Sequence, residues 1–258
     1  MNTGKNRMAA AWLVLGMVVW CAAVPPETSA QTPAVDPKAV QILKSMADFM
    51  DGLQKFSVKT QNTIQDEYSG HRIDRVMTAM VTVKRPNKLL AIRSGELMNQ
   101  RFFYDGKTLT LYNPSVKVYG SKPAPATIEK MIDFARETVD ILLPAADLLY
   151  RNAFPLLMQD VNLAVVVGKA VIGGIRCDHL LFSRPEVDFQ VWVAEGKRPL
   201  PLKYVVTETP SMMAITTVLS DWNLAPALDD ARFTFKPPKG AQSISFMSPE
   251  KTAGGSGR

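Results

Sequence analysis

Hydrophobic side chains recur at spacings of three and four between Val40 and Leu53, which predicts an amphipathic helix with one buried stripe. Asp36 and Pro37 precede this stripe, and they suit the N-cap and the first position of a helix. From Phe56 to Ile64 the period changes to two, which is typical of a strand with one face buried. The N-terminal part of the chain is therefore predicted to form one helix followed by a strand.

Further alternating segments follow, and turn-forming residues such as Ser69-Gly70, Asp105-Gly106 and Gly173-Gly174 separate them. Such short turns require consecutive strands to be antiparallel. About ten or eleven strands are expected, six before residue 123 and the rest after residue 164, with Phe233–Phe235 as a last short strand. The predicted segments are 56–64, 73–83, 89–93, 98–104, 107–112, 116–119, 165–172, 175–182, 187–194, 202–209 and 212–224.

A helical insertion divides the strands. Residues 127–139 carry a stripe at helical spacing, and a second, largely apolar stretch runs from Ala145 to about Asp160 with an interruption expected at Pro155. Together the elements predict an α+β fold, in which a large antiparallel sheet carries its helices on one face. A sheet of this size curls because its strands twist, and a curled sheet capped by helices encloses an apolar space.

The first 30 residues have the pattern of a cleavable secretory signal peptide. Lys5 and Arg7 are followed by an apolar segment over 8–24 and by small residues that end at Ala30. A retained membrane anchor and a lipoprotein acylated at Cys21 are the alternatives, but Trp20 is a bulky residue where lipoprotein signals need a small one. The expected organisation is a signal peptide over 1–30, one domain over 31–240 and a disordered tail over 241–258. The protein is accordingly predicted to be exported from the cytoplasm.

Composition narrows the possible partners and the chemistry. Cleavage removes Lys5, Arg7 and Glu27, so the net charge of +6 becomes +5, and the basic residues form no run that would predict nucleic-acid binding. Cys177 remains as the lone cysteine of the mature chain, which excludes an intramolecular disulfide. The 13 methionines of the full chain are flexible side chains that suit an irregular core or a ligand of varied shape.

The sequence contains no evident catalytic motif. It has neither a glycine-rich phosphate loop nor a Gly-x-Ser-x-Gly elbow, and we predict no cofactor and no metal. Cys177 and His179 face the same side of a predicted strand, so a thiolate–imidazole pair of a hydrolase, or half of a metal site, is conceivable. Their apolar neighbours favour a structural role, and the protein is predicted not to be an enzyme.

Four short motifs occur along the chain, YDGKTL at 104–109 with LYNP at 111–114, and LSDWN at 219–223 with FTFKPPKG at 233–240. In this order they resemble the bacterial lipoprotein-carrier (LolA/LolB-like) superfamily. DFAR at 133–136 and PAADLL at 144–149 are similar to an uncharacterised family of predicted periplasmic proteins within that superfamily. The resemblance implies an unclosed β-barrel with helices on its concave face, and binding of a lipid or of the acyl chain of a lipoprotein.

We therefore expect a monomeric periplasmic carrier, in which helices over 127–160 cover acyl chains lying on the concave sheet. The alternative is a sensor or protein-interaction module of the same fold that transports no ligand. Transient contact of the protein with the membrane or with an envelope protein is also expected. The residues predicted to line the cavity are Phe102, Tyr104, Leu109, Leu111, Phe134, Leu142, Leu149, Phe154, Phe189, Val191, Val193, Leu202 and Tyr204.

Overall fold

The computed structural model describes residues 34–96, 98–139 and 141–246, so the predicted signal peptide and Cys21 lie outside the described residues. Helix α1 spans Pro37–Gly52, α2 spans Ile128–Val139 and α3 spans Ala153–Met158, and two 3-10 turns span Ala146–Leu149 and Asp230–Phe233. The strands are β1 Lys55–Tyr68, β2 His71–Lys84, β3 Lys88–Gly95, β4 Met98–Tyr104, β5 Thr108–Asn113, β6 Val118–Pro123, β7 Leu163–Ile172, β8 Ile175–Arg184, β9 Val187–Ala194, β10 Pro201–Glu208, β11 Met213–Asn223 and β12 Gln242–Ser243.

The strands form a single sheet in the order β12-β6-β5-β4-β3-β2-β1-β11-β10-β9-β8-β7. Every pair of neighbouring strands among β1 to β11 is antiparallel, whereas β12 pairs parallel with β6. Strands β12 and β7 stand at the two ends of this order, so the sheet is not closed. The predicted α+β fold with a large, curled and unclosed antiparallel sheet is confirmed. The pairing of β1 with β11 joins the half before the helical insertion to the half after it.

The main core lies between the concave face of the sheet and the helices. Helix α1 begins where the side chain of Asp36 accepts a hydrogen bond from the backbone N–H of Lys38, as the sequence predicts. The buried stripes of α1 and α2 pack with inward side chains of strands on both sides of the β1–β11 pairing. These buried residues include Leu43, Met46, Met50, Met131, Ile132, Phe56, Phe102, Phe182, Phe189 and Tyr204.

The second predicted helical stretch, from Ala145 to about Asp160, forms a 3-10 turn and a separate short helix instead of one helix. Ala145 and Asn152 adopt left-handed backbone conformations, with φ of 55° and 53°, and they separate the 3-10 turn Ala146–Leu149 from the elements on either side of it. The interruption expected at Pro155 is wrong, because this residue lies in the first turn of α3. Backbone N–H groups there have no partner within a helix, so proline removes no hydrogen bond.

The C-terminal segment departs from two predictions. Phe233–Phe235 is not a strand, because Asp229 caps the 3-10 turn Asp230–Phe233 and the chain then crosses the outer face of the sheet. The tail was expected to be disordered from residue 241, but the backbone N–H groups of Gln242 and Ile244 donate hydrogen bonds to β6 and its preceding turn. Residues 247–258 of that tail lie outside the described residues. Within the part of the chain that is described, no helix has the length and hydropathy needed to cross a bilayer.

Candidate ligand-binding cavity

A segment between α2 and α3, residues 141–149, covers the middle of the concave face, and we call it the lid segment. It forms one wall of a cavity of about 380 Å³, and strands β10 and β11 form the opposite wall. The residues that line this larger cavity are Arg136, Ile141, Leu142, Leu143, Pro144, Ala145, Asp147, Tyr204, Val206, Ile215 and Thr217. Most of this lining is aliphatic, and Leu142 remains 46% exposed at the rim.

A smaller cavity of about 70 Å³ adjoins the same lid segment, since Leu143 and Pro144 line both cavities. Its other walls come from strands β1 to β4 and from α2. The remaining residues that line it are Thr60, Asn62, Met77, Ala79, Val81, Leu89, Ala91, Arg93, Phe102, Met131, Ile132, Ala146 and Leu149. The two cavities therefore flank one lid segment above the pairing of β1 with β11.

A buried polar network forms the floor between the cavities. The Thr217 hydroxyl donates a hydrogen bond of 2.8 Å to Asn62 Oδ1, and Asn62 Nδ2 donates one of 3.0 Å to Thr60 Oγ1. All three side chains are buried and occupy inward positions of β1 and β11. Polar groups at these positions give an otherwise apolar site a few points at which a ligand could be oriented.

Two side-chain contacts connect α2 to this region, one to Asp147 of the lid segment and one to Tyr150, the residue that follows it. Arg136 forms an ion pair of 2.8 Å with Asp147, and the Tyr150 hydroxyl donates a hydrogen bond to Asp133. Burial by itself would lower the pKa of Arg136, but the hydrogen bond and charge of Asp147 raise that pKa overall. Burial and the hydrogen bond with Asp133 also raise the pKa of Tyr150. These partly exposed contacts hold the lid closed with modest strength.

Of the residues predicted to line a cavity, Phe102, Leu142, Leu149 and Tyr204 do line one of the two cavities. The other inward-facing predictions fill the core instead, beneath or beside the helices. Tyr104, Leu109, Phe189, Val191 and Val193 are buried in the main core, and Leu111, Phe134 and Phe154 pack partly buried against it.

Leu202 was predicted to face inward with Tyr204, and this prediction is wrong. The pairing of β10 with β9 shifts register between Pro201 and Lys203, which changes the alternation of side chains at this point. Leu202 consequently packs with Cys177 and Trp192 in a second, smaller cluster. A bulge of this kind leaves no clear mark on the alternating pattern of the sequence.

Cys177 and His179 belong to this second cluster and its surroundings rather than to either cavity. The buried Cys177 thiol lies 3.5 Å from the carbonyl oxygen of Ala170, and burial raises its pKa, which opposes formation of a nucleophilic thiolate. The His179 ring stacks on Trp192 at 4.0 Å, and its Nε2 lies 2.8 Å from Gln190 Oε1. Both side chains are thus used in packing on the strand surface.

The sequence prediction missed the polar part of the site. Thr60 and Asn62 are polar residues in the inward phase of β1. Because a buried polar group is costly without a partner, this pattern in the sequence could have indicated a polar site on the concave face. Arg93 occupies the inward phase of β3 in the same way, next to Leu89 and Ala91. Thr217 could be connected with them only once the pairing of β1 with β11 was known.

Comparisons with known proteins give one match to a family model. The model described as "Predicted periplasmic protein (DUF2092)" matches residues 39–247, whereas no curated protein matches the sequence. Among solved structures, LprF from Mycobacterium bovis is 15% identical with a TM-score of 0.48, over 81% of this chain and 100% of that one. An uncharacterised conserved protein from Thermus thermophilus is 12% identical with a TM-score of 0.48, over 81% and 99% of the two chains. A LolA superfamily protein from Nitrosomonas europaea is 14% identical with a TM-score of 0.41, over 76% and 97%.

Proposed function

The chain belongs to the DUF2092 family of predicted periplasmic proteins, and we propose that it is a periplasmic binding or carrier protein for a lipid or another acylated ligand. The observation that carries this proposal is the larger cavity, which lies between the lid segment and the concave sheet and is lined mainly by aliphatic side chains. Acyl chains need shelter from water to cross the periplasm, and a covered apolar cavity supplies that shelter.

The size and lining of the larger cavity suit one flexible chain. Its volume of about 380 Å³ lies within the range of roughly 300–1,000 Å³ that is usual for small-ligand sites. Each methylene group that leaves water contributes about 0.8 kcal/mol, so a long acyl chain would be held firmly. Val206 and Ile215 offer adjacent aliphatic contacts from paired strands, and Leu142 and Leu143 offer them from the lid.

The lid segment has the features of a part that can move. Ala145 within it and Asn152 just beyond it have left-handed backbone conformations, and its 3-10 turn has only four residues. A segment that contains no long helix and whose contacts are partly exposed requires less free energy to open than a packed core does. Opening of the lid would admit or release the ligand without disturbing the sheet.

A tryptophan placed in the larger cavity tests the proposal. Ile215→Trp fills the space opposite the lid, and Thr216→Trp is the matched control because Thr216 pairs with Val205 in the opposite phase of the same strands. We expect the wild type and Thr216→Trp to bind a fluorescent acyl probe with similar affinity, and Ile215→Trp to bind it at least tenfold more weakly. Probe titrations, with mass spectrometry of lipid extracted from gently purified protein, measure this difference.

Two results would contradict the proposal. One is wild-type protein that contains no lipid and binds no acyl probe, and the other is equal probe binding by the wild type and a folded Ile215→Trp variant. If the wild-type protein instead captures one envelope protein and no lipid, the sensor or interaction function would replace the carrier function.

A further inference from the structure

Arg93 is a charged residue in the wall of the smaller cavity. It lies on β3 in the same inward phase as Leu89 and Ala91, which line the cavity with it. Only 4% of Arg93 is exposed to solvent. Its guanidinium therefore stands among aliphatic neighbours on the concave face, where a charge is costly unless a partner neutralises it.

The residues that the structure describes supply no carboxylate partner for Arg93. Nη2 lies 3.4 Å from Met77 Sδ, which is a weak acceptor, and buried Nη1 has no hydrogen-bond partner. Burial lowers the pKa of the Arg93 guanidinium, and no neighbouring acid among the described residues offsets this effect. Buried donors without a partner are rare in native proteins, and a bound acidic ligand is one explanation for such a group beside a cavity.

Arg85 shows the contrasting arrangement of a structural arginine. Its side chain is also fully buried, but Arg85 Nη1 lies 3.4 Å from Glu129 Oε1, and Arg85 lines neither cavity. The charge of Arg85 is thus partly neutralised within the protein. Arg93 instead lines the smaller cavity, and no described carboxylate neutralises its charge.

The space beside Arg93 has the size of a head group rather than of a chain. A volume of about 70 Å³ is several times the roughly 10–15 Å³ that one water molecule requires, and far below the roughly 300 Å³ of the smallest usual ligand sites. The planar fork of a guanidinium matches the paired oxygens of a carboxylate or phosphate. Asn62 and Thr60 supply further polar groups on the same cavity wall.

We propose that Arg93 binds the acidic head group, a carboxylate or phosphate, of the amphiphile whose acyl chain occupies the larger cavity. This inference rests on the proposed lipid-binding function and names the chemical class of the ligand. Leu143 and Pro144 line both cavities, so a shift of the lid segment would join the head-group and chain compartments. Neutral lipids would leave the guanidinium unpaired and would bind less tightly.

Displacement of a fluorescent acyl probe by hexadecanoic acid, hexadecyl phosphate and hexadecanol tests the inference at neutral pH. Hydrogen bonds to charged groups are strong enough to change affinity about tenfold or more. We expect the wild type to bind at least one of the acidic amphiphiles at least tenfold more tightly than the alcohol. Acetate and inorganic phosphate at millimolar concentration should leave the probe bound, because they lack the chain.

Three variants connect this preference with Arg93. Arg93→Met should reduce the preference for the acidic amphiphile over hexadecanol to less than about twofold, whereas Arg93→Lys should retain part of it. Arg101→Met is the matched control, because Arg101 is exposed in the opposite phase of the neighbouring strand β4, and this variant should keep the full preference. Circular dichroism verifies that each variant is folded.

The outcomes separate the inference from the proposed function. Equal wild-type affinity for acids and alcohol would overturn the inference and leave lipid binding intact, and so would a preference that survives in folded Arg93→Met. Displacement by acetate or inorganic phosphate alone would also overturn it, since the site would then hold a free anion. Failure of every amphiphile to bind would instead overturn the proposed function. If Arg93→Met does not fold, the wild-type comparison and Arg93→Lys decide.

Discussion

At the scale of single residues, the concave face is defined by polar side chains in inward positions. Thr60, Asn62 and Thr217 satisfy one another through hydrogen bonds, so their burial carries little penalty. Arg93 has no comparable partner among the described residues, which distinguishes it from Thr60 and Asn62 in the lining of the smaller cavity. The alternation over residues 56–64 places Thr60 and Asn62 in the buried phase, whereas residues 89–93 do not alternate and leave the direction of Arg93 undetermined. Neither pattern could show which polar residues would find partners.

Tyr104 leads to a prediction about alkaline pH. Burial, with smaller contributions from the charges of Asp105 and Glu129, raises the pKa of Tyr104 to about 12, whereas an unfolded tyrosine titrates near 10. Between these values the folded state holds the additional proton, so the free energy of unfolding should fall as pH rises, by up to about 1.4 kcal/mol per pH unit.

Chemical denaturation at several pH values from 9 to 11 measures this effect of Tyr104. Tyr104→Phe removes the titrating group together with its hydrogen bond to the carbonyl of Pro125, so the variant should start less stable but decline less steeply. Equal slopes for the wild type and the variant would contradict the prediction. The pKa values of Tyr150 and Tyr204 are raised as well, so some decline should remain in the variant.

At the scale of elements, two segments without long regular structure cover the two faces of the sheet. The lid segment covers the middle of the concave face, and residues 229–246 cross the outer face near β4 to β6. Phe235 contacts Phe103, Tyr112 and Tyr119 there, with ring centroids 5.0–5.3 Å apart. The crossing segment therefore covers aromatic residues that the sheet alone would expose.

Phe233 provides a test of this outer layer. Its side chain is fully buried, with 0% exposure, whereas Phe235 two residues later is half-buried. Phe233→Ala should lower the free energy of unfolding by about 3–5 kcal/mol through lost burial and a new cavity. Phe235→Ala is the control and should cost less, as measured by urea denaturation. A cost below about 1 kcal/mol for Phe233→Ala would show that the segment does not dock as described.

At the scale of the whole molecule, one core unites sequence segments that lie far apart. Strands β1 and β11 pair although they are distant in sequence. Helix α1, which precedes the strands, and helix α2, which lies between β6 and β7 in sequence, pack on the same concave face. The family and the periplasmic location predicted from the sequence are confirmed by the family model over residues 39–247. The cleavage site predicted at Ala30 lies before this matched region, so its use remains a prediction for experiment.

Export should yield a mature chain that begins at Gln31 and contains a single cysteine. Positive, apolar and small-residue regions in this order are the features that signal peptidase recognises. Intact-mass spectrometry of protein from the periplasmic fraction should give the mass of residues 31–258. A mass that corresponds to a chain beginning at an acylated Cys21 would contradict this prediction, and so would the mass of the uncut chain.

The sequence by itself determined most of the elements and their antiparallel order, because periodicity, turns and caps act over a few residues. Its motifs, rather than its periodicity, indicated the periplasmic family. The tertiary structure decided which inward residues fill the core and which line a space. Tyr104 and Leu109 are buried in the core, Phe102 and Tyr204 line cavities, and all four share one alternating signal. The difference depends on where the lid segment and α2 lie over the sheet, and on the pairing of β1 with β11, which are contacts between residues distant in sequence.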